Sequence, residues 1–423
     1  MCSPIPFVIH KKSRIAMPTQ SLKNFDQETF LREYWQKKPL LIKGGLAGWQ
    51  NPISADELAG LALEDHVESR LIHSRPIANS ITESQWILEQ GPFSEQRLSS
   101  LDDKNWTLLV QAVDHYAPEV AQLLSYFGFI PSWQIDDVMV SYATKGGGVG
   151  PHFDRYDVFL VQGQGQREWQ IGQTCHQDTP LQEGQPLSLL TEFNGTETYL
   201  LSPGDILYVP PYASHWGTAL DNDCMTYSVG FRSPSKAEML DDYAGYMQQH
   251  CSEDERFRDA DITTSGAGAI DAKTIDNLAA MLVEQLSDKE QLRRWFGRWA
   301  TQSKYAETIS DEAFNINDDD EDLVIDEVDF SDSALNIHRD TASRFCYIES
   351  ADAESLQFFV NGREVALADA SLALRNSIKV ICNELVFSVE ALKAWLDDEV
   401  MRKVLAGMFE NGELYAEDDS SQE

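Results

Sequence analysis

The spacing of apolar residues along the first 125 positions predicts short helices around a buried strand. A helix begins after Asn24 or Asp26, and residues 39–42 form a continuous apolar run typical of a buried strand. Residues 54–57 read Ser-Ala-Asp-Glu, the signature of a capping box at the start of a helix. Apolar residues at helical spacing predict a further amphipathic helix over residues 106–125.

From about residue 133 to 233 the pattern changes to short β-rich runs. They lie at residues 137–142, 158–161, 167–171, 197–201, 206–209 and 226–231. Glycines at 146–150 and Pro-Gly and Pro-Pro pairs separate them. Short strands at this spacing predict an all-β barrel or a double-sheet jelly roll, the cupin architecture.

Beyond residue 235 the spacing becomes helical again. One helix is predicted over residues 237–249, and a longer one over 274–303 is divided by a second capping box at 287–290. The second half of the longer helix carries three large aromatic residues on its apolar face, Trp295, Phe296 and Trp299. Two explanations remain open for this face, a subunit interface or packing against the barrel.

The last quarter of the chain predicts a small mixed domain. Strands at 344–349, 356–360 and 364–367, with an Asn-Gly hairpin turn at 361–362, precede helices at 370–382 and 388–408. This order suits a winged-helix-like module. The fold class is therefore α+β, a double-stranded β-helix (cupin-type jelly roll) followed by a helical region, expected to serve dimerisation, and a C-terminal winged-helix-like domain.

These patterns give a domain division for the whole chain. We expect a disordered tail over 1–24, a catalytic domain over 25–235, a helical dimerisation region over 236–308, an acidic linker over 309–333, a winged-helix-like domain over 334–415 and an acidic tail over 416–423. The first 16 residues are expected either to be disordered or to precede a native start at Met17.

Charge and cysteine content limit the partners and the compartment. The chain has 33 Lys or Arg against 69 Asp or Glu and a formal net charge of −36, which disfavours nucleic acids and anionic membranes. A basic protein is the electrostatic complement, although acidity can also serve solubility alone. Six scattered cysteines and no long apolar run indicate a cytoplasmic protein without a membrane span.

The candidate chemistry lies in the β-rich region. His152 and Asp154 form an H-x-D pair, and on a strand alternate side chains point to the same face. His215 follows a proline-rich approach sixty residues later. Two imidazoles and one carboxylate form the facial triad of non-haem iron(II) oxygenases. Phe153, between the first two ligands, is expected to point into the core.

Several motifs resemble one known family, the JmjC-type ribosomal oxygenases, including the bacterial enzymes that hydroxylate an arginine of a large-subunit ribosomal protein. The motifs that carry the resemblance are at residues 34–40, 106–112, 146–159, 162–163, 167–169, 203–211 with His215, and 227–232.

The resemblance implies Fe(II) at the triad, with 2-oxoglutarate and O2 as co-substrates, and no catalytic side chain beyond the metal centre. It implies that Arg167 binds the distal carboxylate of 2-oxoglutarate, since a guanidinium presents a planar fork. Ser228 and Ser141 are candidates for the same ligand.

The resemblance also implies a homodimer and a basic ribosomal protein as substrate, modified on an arginine. Asp157, Asp136 and Asp137 flank the site and are candidates to bind that arginine. The alternatives are hydroxylation of a histidine in a ribosomal protein, and a non-enzymatic metal-binding cupin with a regulatory winged-helix module.

Overall fold

The computed structural model describes residues 20–76, 84–252, 254, 256–258, 266–303, 328, 330–332, 335–350, 355–367 and 370–417. The chain divides into two compact units, one over Ser21–Ala300 and a C-terminal one that includes the residues from Thr301 onward. Most of the predicted N-terminal tail, acidic linker and C-terminal tail lies outside the described residues.

The first unit begins with two short helices whose ends are capped by side chains. Helix α1 spans Gln27–Glu33, and Asp26 accepts a hydrogen bond from the Thr29 N–H at 2.8 Å. Helix α2 spans Ala55–Leu61 and has the predicted capping box, because Ser54 and Glu57 each accept from the other's backbone N–H. Leu22 is buried in the core of this unit, although the sequence predicted that it belongs to the N-terminal tail.

Two antiparallel sheets form the centre of this unit. The larger sheet has the order β1-β9-β6-β11-β5-β4-β2-β3, with β1 (Leu40–Ile42), β2 (Ser69–Pro76), β3 (Ser84–Gln90), β4 (Trp106–Val110), β5 (Ile135–Ala143), β6 (Val158–Gln164), β9 (Ile206–Val209) and β11 (Cys224–Phe231). The smaller sheet has the order β10-β7-β8, with β7 (Arg167–Thr174), β8 (Glu197–Leu201) and β10 (Ala213–Ala219). This arrangement confirms the predicted cupin jelly roll.

Alternating side chains give the larger sheet two apolar faces. On one face Phe159 and Tyr208 pack with the N-terminal helices, and Phe30 of α1 lies 4.9 Å from Tyr208 between ring centroids. On the other face Leu160 and Leu207 pack with residues of the smaller sheet, such as Trp169. The space between the two sheets therefore holds an apolar layer in which a site can be kept dry.

The predicted helix over residues 106–125 is wrong. Its first part is strand β4, which pairs with β2 and β5, and its remainder forms helices α4 (Val113–Tyr116) and α5 (Pro118–Ala121) and a 3-10 turn (Gln122–Phe127). Residues 107–110 are buried on both faces of the sheet, so their apolar run has no strand alternation. A short helix, α3 (Glu95–Ser99), precedes β4.

In the described residues between the barrel and residue 303, the chain forms three helices, α6 (Lys236–His250), α7 (Ala272–Leu286) and α8 (Lys289–Thr301). The break between α7 and α8 lies where it was predicted, but Asp288 caps α8 by accepting from Glu290 and Gln291, and Ser287 does not. Trp295 is buried and donates its indole N–H to Asp242 of α6.

The other aromatic side chains of α8 also pack within the first unit. Phe296 lies edge-on to Trp133, with ring centroids 5.1 Å apart, and the Arg232 guanidinium lies over Trp299. The aromatic face therefore packs at least in part on residues of the first unit.

In its described residues, the C-terminal unit contains two three-stranded antiparallel sheets and three α-helices. The elements are β12 (Asn336–Arg339), β13 (Phe345–Glu349), β14 (Leu356–Val360), β15 (Arg363–Val365), α9 (Leu372–Asn383), β16 (Val386–Ser388), α10 (Lys393–Leu396), α11 (Glu399–Glu410) and β17 (Leu414–Glu417). The sheet orders are β16-β12-β17 and β13-β14-β15. The predicted Asn-Gly turn joins β14 to β15, and both turn residues have positive φ, 46° and 80°.

Two predictions for this unit need correction. The helix expected over residues 388–408 is divided into a 3-10 turn (Val389–Leu392), α10 and α11, because Asp398 begins a new helix by accepting from Met401. Strand β17 includes two residues, 416 and 417, that were expected in the tail. Among the described residues, no helix is long and apolar enough to span a membrane.

Candidate metal centre

The H-x-D pair lies in the connection between β5 and β6, and not on a strand as the sequence predicted. His152 makes a single antiparallel bridge with His215 of β10, in which each backbone N–H donates to the other residue's carbonyl, at 3.1 and 2.8 Å. The two imidazole centroids are consequently 4.3 Å apart. A local backbone bridge, rather than a continuous strand, brings the two histidines together.

The side chains of His152, Asp154 and His215 converge on one point. Their ligand atoms all lie within 4.8 Å of one another, and His215 Nε2 is 3.5 Å from Asp154 Oδ2. Within the described parts of the chain, this is the one group of three or more His, Cys, Asp or Glu side chains with such spacing. Two nitrogen donors and one carboxylate suit a divalent transition metal.

Backbone carbonyls orient both imidazoles. His152 Nδ1 is 2.9 Å from the Gly150 oxygen, and His215 Nδ1 is 3.0 Å from the Ala213 oxygen. When Nδ1 carries the proton and donates to a carbonyl, the Nε2 lone pair of each ring is free for a metal. Burial, and then the nearby charge of His152, lower the pKa of His215 to about 4, so this ring is neutral at neutral pH.

Phe153 is not a core residue, contrary to the prediction. It is partly exposed and stacks on Tyr212, with ring centroids 5.9 Å apart. The Tyr212 N–H donates to the Asp154 carbonyl at 2.7 Å. The turn before β10 therefore fixes the backbone of the carboxylate ligand.

Arg167 lies on β7 with its side chain between the two sheets. The residue is 5% exposed, and its Nη1 is 3.5 Å from Ser141 Oγ. Its Nε and Nη2 have no hydrogen-bond partner among the described residues. A buried guanidinium with two adjacent unpaired donors is suited to an anionic ligand that accepts both of them.

The two predicted serines lie on neighbouring strands of the larger sheet. Ser141 of β5 is paired with Thr226 of β11, and Ser228 is two residues further along β11, on the same face. Ser141 is buried and Ser228 is partly exposed. The structure thus places Ser141 against Arg167, and Ser228 one step away along the sheet.

Two of the predicted substrate-binding carboxylates have structural partners. Asp157 is buried, accepts from the Tyr208 hydroxyl and from Gln36 Nε2, and burial raises its pKa. Asp136 forms an ion pair with Arg232 Nε at 3.4 Å. Each carboxylate therefore has a partner within the first unit, and their assignment to substrate binding stays a prediction.

Asp137 is the carboxylate that lies on the side of the metal centre. It shares a face of β5 with Ser141, and Gln111 Nε2 donates to both of its oxygens at 2.9 and 3.0 Å. The negative charge of Asp154, then the desolvation of the phenol, and then the charge of Asp137 raise the pKa of Tyr156, a residue that is 43% exposed. Sequence reasoning missed Tyr156, although its position two residues after Asp154 was a usable signal.

Comparisons with known proteins agree with this architecture. The family described as "JmjC domain" matches residues 122–239, and the one described as "ROXA-like winged helix" matches residues 284–415. The ribosomal protein uL16 3-hydroxylase of Escherichia coli is 39% identical over 280 residues, which are 65% of this chain and 71% of that protein. A probable ribosomal oxygenase of Haemophilus influenzae is 40% identical over 54% of each chain.

Solved structures give the same result over nearly the whole chain. An X-ray structure of E. coli YcfD has a TM-score of 0.80 and 31% identity, and the match covers 95% of this chain and 100% of that one. A structure of E. coli YcfD, a ribosomal oxygenase, in complex with cobalt and 2-oxoglutarate has a TM-score of 0.77 and 30% identity, with 94% and 99% coverage.

The fold and the site define a JmjC cupin with a two-histidine, one-carboxylate centre and an appended winged-helix domain. The chain belongs to the JmjC-domain ribosomal oxygenase family, which confirms the family indicated by its sequence motifs.

Proposed function

We propose that this protein is an Fe(II)- and 2-oxoglutarate-dependent oxygenase that hydroxylates an arginine side chain of a ribosomal protein. The observation that carries the proposal is the pairing of a convergent His152, Asp154 and His215 with the unpaired donors of Arg167. A facial triad leaves metal positions open for a bidentate 2-oxo acid and for dioxygen. The structure of E. coli YcfD in complex with cobalt and 2-oxoglutarate supports a divalent transition metal and 2-oxoglutarate as the two ligands of this site.

Each of these residues has a defined task in the proposed reaction. His152, Asp154 and His215 hold the iron, which when bound supplies the activation of dioxygen. Arg167 binds the distal carboxylate of 2-oxoglutarate, with Ser141 and Ser228 as neighbouring hydroxyl groups.

The inner part of the site is shielded from water, which protects a reactive centre from side reactions. His215 is 2% exposed and Arg167 is 5% exposed. No side-chain acid or base is required, because the proposed reaction starts at an unactivated carbon–hydrogen bond.

An arginine substrate fits the rim of the site. A guanidinium needs a carboxylate that accepts a bidentate hydrogen bond and an aromatic face on which it can lie. Tyr156, which is 43% exposed, supplies the aromatic face beside Asp154, and Asp137, which is 3% exposed, is our candidate for the carboxylate inside the site. The net charge of −36 attracts a basic ribosomal protein, and a related E. coli enzyme acts as a 3-hydroxylase on uL16.

The test combines purified enzyme, Fe(II), 2-oxoglutarate and ribosomal protein uL16, and it follows succinate and the mass of the protein substrate. We expect a gain of one oxygen on an arginine, located by fragmentation. An oxygen on a histidine would refute the arginine assignment, and an absence of succinate under all conditions would refute the oxygenase.

A pair of variants tests the proposed role of Asp137 independently. Asp137→Asn should weaken substrate binding while leaving 2-oxoglutarate binding unchanged. Asp136→Asn is the matched control, because Asp136 pairs with Arg232 away from the centre. Equal effects of the two substitutions on substrate binding would contradict a role for Asp137.

We also propose that the protein forms a homodimer through α7. This helix leaves an aliphatic stripe exposed, Ile275 at 52%, Leu278 at 38%, Leu282 at 50%, Val283 at 59% and Leu286 at 45%. Contiguous exposed apolar surface is typical of an interaction site. In light-scattering measurements Leu282→Glu should give monomers, and Val400→Glu, at a comparably exposed position on α11, should not. A dimer that survives Leu282→Glu would refute this interface.

The compartment and the C-terminal unit complete the proposal. The described cysteines are all free, which suits the reducing cytoplasm. We also expect no direct DNA binding, because the net charge of −36 disfavours a polyanionic partner. The division at residues 235, 308 and 333 remains our prediction for the domain boundaries.

A further inference from the structure

Trp169 has a buried hydrogen-bond donor whose partner is not part of the described chain. The side chain is 4% exposed, and its indole Nε1 makes no hydrogen bond with any described residue. Most buried polar groups in folded proteins have a partner, and leaving one unpaired is costly. An indole N–H can only donate, so the missing partner is an acceptor.

The position of Trp169 on β7 places its side chain between the metal centre and Arg167. Strand β7 presents Arg167, Trp169 and Ile171 on one face, and their partners on β10 are Ala219, Gly217 and His215. His215 pairs with Ile171, which is four residues from Arg167 on β7, so the paired positions (rungs) of His215 and Arg167 lie about 13 Å apart along the strand. A ligand that reaches from the metal to Arg167 must therefore pass the rung of Trp169.

The ring of Trp169 is held against both ends of this path. Its centroid is 5.8 Å from that of His215, and the Arg167 guanidinium carbon is 5.6 Å from it. Gly217 gives the ring its space, because a Cβ there would lie 2.7 Å from the Cζ3 and Cη2 atoms. The six-membered edge of the indole therefore lies against β10.

We propose that Trp169 is a co-substrate-binding residue whose indole N–H donates to an oxygen of the bound 2-oxo dicarboxylate. The proposal rests on the function proposed above and extends it to Trp169. This residue lies in the motif at 167–169, and the sequence predicted no role for it. Strand alternation from Arg167 was the signal that could have found it.

In this arrangement Trp169 and Arg167 form one donor set on β7. Arg167 supplies charge and a fork for one carboxylate, and Trp169 supplies a single neutral donor along the same ligand. The indole contact orients the dicarboxylate between the metal and Arg167, so its loss should change affinity more than turnover.

The first test measures binding of 2-oxoglutarate to Zn(II)-loaded full-length protein by calorimetry. Trp169→Phe removes the donor and keeps an aromatic ring, and we expect the Kd to rise roughly tenfold to a hundredfold, the range for a hydrogen bond to a charged group. Trp216→Phe is the matched control, because Trp216 lies on β10, packs on Phe193 and belongs to the opposite face. With Fe(II), KM for 2-oxoglutarate should rise while kcat changes little.

A second measurement observes the indole N–H of the wild-type protein directly. In the nitrogen-15 spectrum of the Zn(II)-loaded wild type, the indole N–H signal that Trp169→Phe removes should move to higher proton frequency when 2-oxoglutarate is added. A signal that does not move, with a Kd unchanged in Trp169→Phe, would overturn the inference and point to water as the partner. Wild type that does not bind 2-oxoglutarate at all would instead refute the proposed function.

Discussion

Replacing Arg167 by methionine should weaken 2-oxoglutarate binding and stabilise the ligand-free protein. The guanidinium is 5% exposed, no described carboxylate pairs with it, and its one hydrogen-bond contact is with Ser141 Oγ at 3.5 Å. Its Nε and Nη2, which form one edge of the fork, are unpaired. Methionine is of similar length and carries no charge, so it fills the space between the sheets without requiring an anion.

The size of both effects follows from hydrogen-bond energies. A hydrogen bond to a charged group contributes about 1.5–3 kcal/mol, so the loss of two raises the free energy of binding by about 3 kcal/mol or more. At 1.4 kcal/mol for each factor of ten, the Kd rises about a hundredfold or more. Removing an unpaired buried charge should raise the free energy of unfolding by about 1–3 kcal/mol.

Thermal unfolding with and without 2-oxoglutarate, in Zn(II)-loaded protein, measures both effects. The variant should unfold at a higher temperature than ligand-free wild type and should gain no further stability from 2-oxoglutarate. Arg167→Lys keeps a charge without the fork and should recover part of the affinity. Wild-type affinity in Arg167→Met, or a destabilised ligand-free variant, would refute the assignment of Arg167.

Three further predictions concern the support of the site and the fold. Gly150→Ala should weaken metal binding about tenfold to a hundredfold, because it displaces the Gly150 carbonyl that orients His152. The φ angle of Gly150 is +80°, and the new Cβ would lie 2.6 Å from Leu189 Cδ2. Unchanged Zn(II) affinity in calorimetry would contradict this prediction. Ser54→Ala should lower the free energy of unfolding by about 1 kcal/mol in urea titrations, because the α2 cap is lost; an unchanged midpoint would contradict it. Arg232→Met should leave metal binding intact and destabilise the packing of α8, because Arg232 donates to carbonyls in the last turn of α8. We expect faster amide hydrogen exchange in that helix, and exchange at the wild-type rate would contradict the prediction.

The sequence predicted the elements whose ends are fixed by local chemistry. The capping box at 54–57, the strands at 197–201 and 206–209 and the Asn-Gly turn at 361–362 depend on residues a few positions apart. It failed at β4, whose identity depends on pairing with β2 and β5, far away in the chain. A run buried on both faces gives no alternation from which a strand can be read.

The candidate site was predictable in its residue types but not in its geometry. Strand β10 carries His215 yet was not predicted, because its residues 213–219 contain Ser, His and Gly, and pairing with β7 makes it a strand. Nothing in the sequence indicates that Tyr208 and Gln36 bind the carboxylate of Asp157. Long-range partners, which one sequence does not reveal, decided both points.

The most direct test of the central claim follows the source of the oxygen atom in the product. The purified enzyme is incubated with Fe(II), 2-oxoglutarate, ribosomal protein uL16 and dioxygen labelled with heavy oxygen, with His215→Ala as the control. Our account predicts that the product arginine carries one labelled oxygen, that succinate forms with it, and that both are lost in the variant. Unlabelled product, or labelled product from the His215→Ala variant at the wild-type rate, would contradict it.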